Sequence, residues 1–145
     1  MSNSARLRVV LDTNVLLVAI SPRSKYHWIF QRLLEADYEL LVSNEILSEY
    51  EEIIGQKLSE DVARNVLRML LLLPNVQRVS PRFRWSLIYV DPDDNKFVDC
   101  AIAANAHALV TQDRHFNVLR DLRFPSIHVM SIADFSDLIA QEEQT

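Results

Sequence analysis

The sequence predicts an α/β domain, with a mainly parallel central sheet covered by helices on both faces. Two observations carry that prediction. Short apolar strands alternate with segments of helical periodicity from one end of the chain to the other. The chain of 145 residues has no internal repeat, low-complexity tract or Pro/Gly-rich linker, so residues 1–145 read as a single domain able to bury a proper core. Crossovers between its parallel strands should be right-handed.

The elements follow in order. Arg8-Val9-Val10-Leu11-Asp12 is an apolar strand ending in an acid, and Ser21-Pro22-Arg23-Ser24 is a loop. Tyr26 to Ala36 places Trp28, Ile29, Phe30, Leu33 and Leu34 at helical spacing. Glu39 to Val42 is a short strand, and Ser43 after it can cap a helix by accepting from an orphan amide. That helix carries Ile46, Tyr50, Ile53 and Ile54 on one face, and Gly55 marks or weakens its end. Ser59 to Leu73 is a further helix, with Val62, Val66, Met69, Leu70 and Leu73 inward and Pro74 as its stop. Gln77-Arg78-Val79 reads as a weak strand and Pro81 to Val90 as a mixed connection. The turn Asp91-Pro92-Asp93-Asp94-Asn95 feeds a helix from Lys96 to His107. A strand to Thr111, a loop and short helix from Arg114 to Leu122, a strand from Ile127 to Met130 and a helix from Ile132 to Ala140 complete the pattern.

Composition excludes several chemistries. Gly55 is the only glycine, so a glycine-rich phosphate loop cannot be built. Cys100, the only cysteine, excludes an intramolecular disulfide framework and a Cys-rich zinc site, and its apolar surroundings read as core. His27, His107 and His128 show no ligand spacing. Met1 to Leu7 is short and polar, and Leu67 to Leu73 is too short to span a bilayer, so the expected location is cytoplasmic, with no membrane partner. A formal net charge of −5 argues against a large basic nucleic-acid surface, although acids gathered around a metal would contribute to that total.

Those acids are the most informative residues. Asp12 ends one strand and Asp113 follows another, and an open parallel sheet builds its site outside the carboxyl ends of its strands. Glu49 and Asp99 fall in early turns of two predicted helices. Two carboxylates about 4 Å apart repel by roughly 4 kcal/mol even at an effective dielectric near 20, so four that converge require a cation. Hard oxygen donors without thiolates suit Mg²⁺ or Mn²⁺. Asp12 has little structural reason for its charge, since burying an unpaired carboxylate is costly. Glu49 borders the apolar face of its helix, whereas Glu45 and Glu52 turn towards solvent. Capping alone explains Asp94, while Asp99 lies inside a helix where aspartate is a poor former. Asp99 is therefore the expected ligand, with Asp94 as an outer or alternative one. Asn14 and Thr111 could orient a water. Arg114 and His115, with Arg120 and Arg123, are candidate substrate contacts, as are the local arginines Arg78, Arg82 and Arg84.

The segments Leu11-Asp12-Thr13-Asn14-Val15-Leu16, Ser43 to Glu49, Asp99-x-x-Ile102-Ala103-x-x-Ala106 and Leu109-Val110-Thr111-x-Asp113-x-x-Phe116 together resemble a PIN domain over nearly the whole chain. The turn from Asp91 to Phe97 resembles a bacterial and archaeal branch associated with the toxin components of toxin–antitoxin systems. The resemblance implies a three-layer α/β/α sandwich, Mg²⁺ or Mn²⁺ held by acids, and hydrolysis of RNA phosphodiesters. It also implies an antitoxin partner. Carried over by position, Asp12, Glu49, Asp99 and Asp113 are the catalytic and metal-binding acids. His115 departs from the pattern, because many relatives have another acid there. Apolar helices around Trp28, Phe30 and the Leu67–Leu73 run could supply a dimer or antitoxin surface.

Two rival chemistries fit less well. An aspartate-dependent phosphatase wants a second aspartate two places after Asp12, where this chain has Asn14. A receiver domain wants an acceptor aspartate near mid-chain after the third strand and a lysine near the end, and this chain has neither. A non-catalytic PIN-like module binding nucleic acid or a partner is the remaining alternative.

Overall fold

The structure, a computed structural model, describes residues 6–143; most of the Met1–Leu7 stretch lies outside them. It is an α/β sandwich around a five-stranded, all-parallel sheet in the order β3-β2-β1-β4-β5. The strands are β1 (Leu7–Leu11), β2 (Tyr38–Val42), β3 (Val76–Arg78), β4 (Ala108–Val110) and β5 (Val129–Met130). The helices are α1 (Thr13–Ile20), α2 (His27–Leu34), α3 (Asn44–Lys57), α4 (Glu60–Leu72), α5 (Asn95–Ala103) and α6 (Ile132–Glu143). 3-10 turns at Pro92–Asp94 and Arg114–Asp121 complete the described elements.

The chain starts in the middle of its sheet. From β1 it builds outward through β2 and β3, then crosses back to place β4 and β5 on the other side. Val9 pairs with Leu40 on one side and with Ala108 on the other. β1 and β4 thus flank the point where the strand order reverses, and there the loops leaving the two strands diverge and open a crevice. The central strands are continuous apolar runs because both faces are covered; Val9, Val10, Leu11, Leu40, Leu41, Val42, Leu109 and Val110 are fully buried. Tyr38, Tyr50, Phe97, Phe116 and Phe135 fill the layers between sheet and helices, and burying each such side chain contributes roughly 1.5–3 kcal/mol.

Local signals hold at the helix starts. Ser43 accepts from the Ile46 amide at 3.2 Å and Ser59 from the Val62 amide at 3.1 Å, so both serines cap the helices that follow them. The structure differs from the expected boundaries in two instructive places. α3 continues through Gly55 to Lys57, and a Cβ at Gly55 would stand 3.9 Å from Ala63 Cβ, an ordinary contact. α5 stops at Ala103, short of the expected His107, because Asn105 takes a left-handed conformation (φ 52°). The amides of Asn105 and Ala106 fold back onto the carbonyls of Ile102 and Ala101, a Schellman ending that satisfies two orphan acceptors. The expected Arg114–Leu122 helix is a 3-10 turn. No helix among the described residues is long and apolar enough to cross a membrane.

Candidate functional site

Asp12 leaves β1 and is the residue from which α1 starts; its amide donates to the Val110 carbonyl (3.0 Å), so the β1–β4 pairing carries it into the crevice. Its side chain is buried and accepts from Thr111 Oγ1 at 2.8 Å. Burial raises the Asp12 carboxyl above the usual range, Thr111 and the Thr13 amide oppose the rise, and the charges of Asp113 and Glu49 add to it.

Glu49 is delivered by a tether. Tyr50, the next residue on α3, is fully buried and donates from its hydroxyl to the Leu11 carbonyl at 2.6 Å. That bond seats the helix against the end of β1, one residue before Asp12. Glu49 Oε2 accepts from Thr13 Oγ1 at 2.5 Å, and its Oε1 lies 2.6 Å from Lys96 Nζ. Lys96 and Glu49 are both largely shielded from solvent.

Asp113 reaches the site from the far side of the crevice. Its amide donates to Thr111 Oγ1 (3.0 Å), and its Oδ1 caps the following 3-10 turn by accepting from the His115 amide (2.9 Å). Thr111 therefore fixes both Asp12 and Asp113.

Asp94 completes the group. Its carboxyl is pushed up to about 7, first by burial and then by the charges of Asp91, Asp113 and Asp12. His115 Nδ1 stands 3.5 Å from both Asp94 Oδ2 and Asp113 Oδ1, long for a hydrogen bond. Asp94 Oδ2 and His115 Nδ1 are both buried atoms without a hydrogen-bond partner. Asp91, Asp94 and His115 can each present one donor atom within 4.8 Å of the others. A buried carboxylate oxygen left unsatisfied beside several like charges fits a cation site. The oxygen-rich donor set fits a hard divalent metal.

Asp99 lies elsewhere. It is buried, but its Oδ1 accepts from the Trp85 amide at 3.0 Å, and the charges it meets are those of Arg84 and Glu45. Burial raises this carboxyl as well, with the Trp85 amide and Arg84 opposing. Of the acids expected at the site, the structure thus brings together Asp12, Glu49, Asp94 and Asp113, and turns Asp99 towards the loop before α5. Asn14 is exposed at the start of α1, and Arg114 is exposed beside Asp113. Cys100 is buried on α5, its thiol pushed up to about 12 by burial.

Sequence reasoning missed Lys96. The signal was there: a lysine set among Asp91, Asp93, Asp94 and Asp99. It also missed Asn95, whose amide side chain bonds both the amide and the carbonyl of Ile88 at 2.9 Å and so pins the preceding loop to α5.

The chain matches the family model described as PIN domain over residues 8–115, a span that contains Asp12, Glu49, Asp94, Asp99 and Asp113. Solved structures share the fold at low identity. VapBC2 from Rickettsia felis, bound to a DNA fragment from its promoter, is 19% identical, with a TM-score of 0.61 over 86% of this chain and 98% of that one. VapBC-1 from nontypeable Haemophilus influenzae is 17% identical, with a TM-score of 0.58 over 88% and 99%. VapC20 from Mycobacterium tuberculosis, described as a sarcin–ricin loop cleaving toxin, is 13% identical, with a TM-score of 0.55 over 75% and 92%. At these identities the likeness is one of fold. No curated protein matches the chain.

Proposed function

Because the chain belongs to the PIN-domain family, we propose that it is a divalent-metal-dependent ribonuclease and the toxin of a toxin–antitoxin pair. The observation that carries this reading is the gathering of Asp12, Glu49, Asp94 and Asp113 at the carboxyl ends of β1 and β4, with Asp94 Oδ2 buried and unsatisfied. Structural neighbours that are VapBC complexes, and one described as a sarcin–ricin loop cleaving toxin, support the choice of substrate and partner.

Asp12, Asp94 and Asp113 would hold Mg²⁺ or Mn²⁺, with Glu49 direct or through water and Asp91 and His115 at the rim. The metal, when bound, supplies Lewis-acid activation of water and neutralises charge at the phosphate. The chain's own residues prepare the site. Thr111 orients Asp12 by its hydroxyl and Asp113 by its backbone, so neither carboxylate has to be reorganised for the reaction. Thr13 and Lys96 hold the two oxygens of Glu49. Lys96 also places a positive charge beside the acids, where it lowers their repulsion of an incoming phosphate. Arg114, exposed next to Asp113, offers a second contact for the substrate backbone. An antitoxin or a second copy would cover apolar surface, and Leu71 and Leu72 on α4 are exposed at 56% and 77%. A cytoplasmic location accords with that role.

The experiment is cleavage of a panel of single-stranded and structured RNAs with Mg²⁺, Mn²⁺ or EDTA, comparing the native chain with Asp12→Asn. Cutting should require metal and fall by more than roughly 100-fold in a folded Asp12→Asn protein, since even residues that merely orient ligands cost 10–100-fold. Full cleavage by that variant would refute the assignment. Metal binding without cleavage of any RNA would favour a non-catalytic binding module.

A further inference from the structure

Residues 79–91 cross from β3 to the turn before α5 without regular structure, yet they are held firmly. The Trp85 amide is bonded to Asp99, Asn95 brackets Ile88 through both its backbone groups, and Ile88 itself is buried. These anchors turn other side chains outward. Phe83 is 73% exposed. Its ring centroid lies 6.4 Å from that of Trp85, and Trp85 meets Phe124 edge to face at 6.0 Å, with Phe124 itself 80% exposed. Two exposed rings adjoining the half-buried ring of Trp85, on a backbone that is pinned, are a surface for a partner and not a core.

The charges select the partner. Arg82 and Arg84 alternate with Phe83 and Trp85, Arg123 precedes Phe124, and all three arginines are exposed. Beside the rings lies a groove of about 350 Å³, to which Arg82, Phe83, Trp85 and Asp99 contribute. Asp99 is the acid in its lining, and its carboxylate is engaged by the Trp85 amide. Arg84 pairs with Glu45 at 3.5 Å, but both side chains are more than half exposed, so the pair is readily exchanged. Guanidinium groups set among these rings match the phosphates and bases of an unpaired strand, whose bases stack on aromatic faces without sequence preference.

Position ties this surface to the acid pocket. Glu45, beneath Arg84, is one turn of α3 from Glu49, and Asp99, beneath Trp85, is one turn of α5 from Asn95 and Lys96. One such turn is roughly 6 Å, which a strand resting on the rings can cross. We propose that Phe83, Trp85 and Phe124, flanked by Arg82, Arg84 and Arg123, form a stacking platform that binds single-stranded RNA and leads it to the acids. This inference rests on the ribonuclease reading for the identity of the strand.

Trp28, the other tryptophan, packs against Phe135, so a Trp28→Phe chain reports on Trp85. An oligouridylate of roughly 10 nucleotides, added in EDTA, should quench that emission. Replacing Phe83 and Phe124 together by leucine should weaken binding about tenfold or more. Phe83→Tyr should retain it, because the stacking face survives. Unchanged affinity in the leucine variant, equal affinity for duplex RNA, or loss of a protein partner's binding with RNA binding intact would each overturn the platform. Working in EDTA separates the two readings. RNA bound through the rings but never cut with Mn²⁺ sinks the nuclease and leaves the platform. Cutting that needs Asp12, with unchanged binding in the leucine variant, does the reverse.

Discussion

Asp94 and Asp99 are little more than a helical turn apart in sequence, and they serve different neighbours. Asp94 shares its surroundings with Asp12 and Asp113, and its Oδ2 is left unsatisfied. Asp99 is satisfied by the amide of Trp85. Read along the chain, Asp99 was the more conspicuous acid, because aspartate inside a helix calls for an explanation. The structure supplies one that is distant in sequence, an amide in the preceding loop. Two substitutions separate the roles. Asp94→Asn should weaken Mn²⁺ binding by at least roughly tenfold in a folded chain, and Asp99→Asn, whose amide oxygen can still accept from Trp85, should leave it nearly unchanged. Calorimetric titration reads both; the opposite ranking would restore Asp99 as the ligand.

Among the elements, α3 matters most, since it carries Glu49 and Glu45 along one side and Tyr50 into the core. Its position depends on a cap at one end and a tether in the middle, and only the cap was legible in the sequence. Ser43→Ala removes the oxygen that accepts from Ile46 and should cost about 1 kcal/mol, seen as a lower midpoint in urea with an unchanged slope. A loss near zero would mean that the Tyr50–Leu11 bond and the apolar face hold the helix without its cap. The early end of α5 has a related origin: Asn105 accepts a left-handed backbone, as asparagine does more readily than most residues, and the helix closes there.

At the scale of the molecule, the strand order decides what the acids can do. Placing β1 and β4 side by side brings Asp12 and Asp113 into one crevice, where burial first and then the gathered like charges disfavour ionisation. The consequence for stability has a definite sign. The Asp94 carboxyl rises from an ordinary 3.8 to about 7 in the folded chain, so between these values the folded state binds more protons than the unfolded state. Stability therefore falls as pH rises through this window. Asp12 and Asp99, also raised, add a slope of the same sign. In EDTA the chain should melt at a lower temperature at pH 8 than at pH 5.5, and Asp94→Asn should reduce the difference. Added Mn²⁺ should reverse it by neutralising the carboxylates, while a rising melting temperature in EDTA would contradict the crowding of these acids.

The sequence by itself determined the α/β class, the strands and most of the helices, though not α1, together with the serine caps and the acids at strand ends. These follow from local physics: side chains alternate across a strand and recur along a helix face, and a cap reaches an amide only a few residues away. Only the tertiary structure decided which acids meet. Asp94 joins Asp12 and Asp113, Asp99 turns away, Lys96 settles beside Glu49, and Phe83, Trp85 and Phe124 come together. Those outcomes depend on strand order and on the path of a loop, both set by burial and hydrogen bonding between residues far apart in the chain, which no local period records.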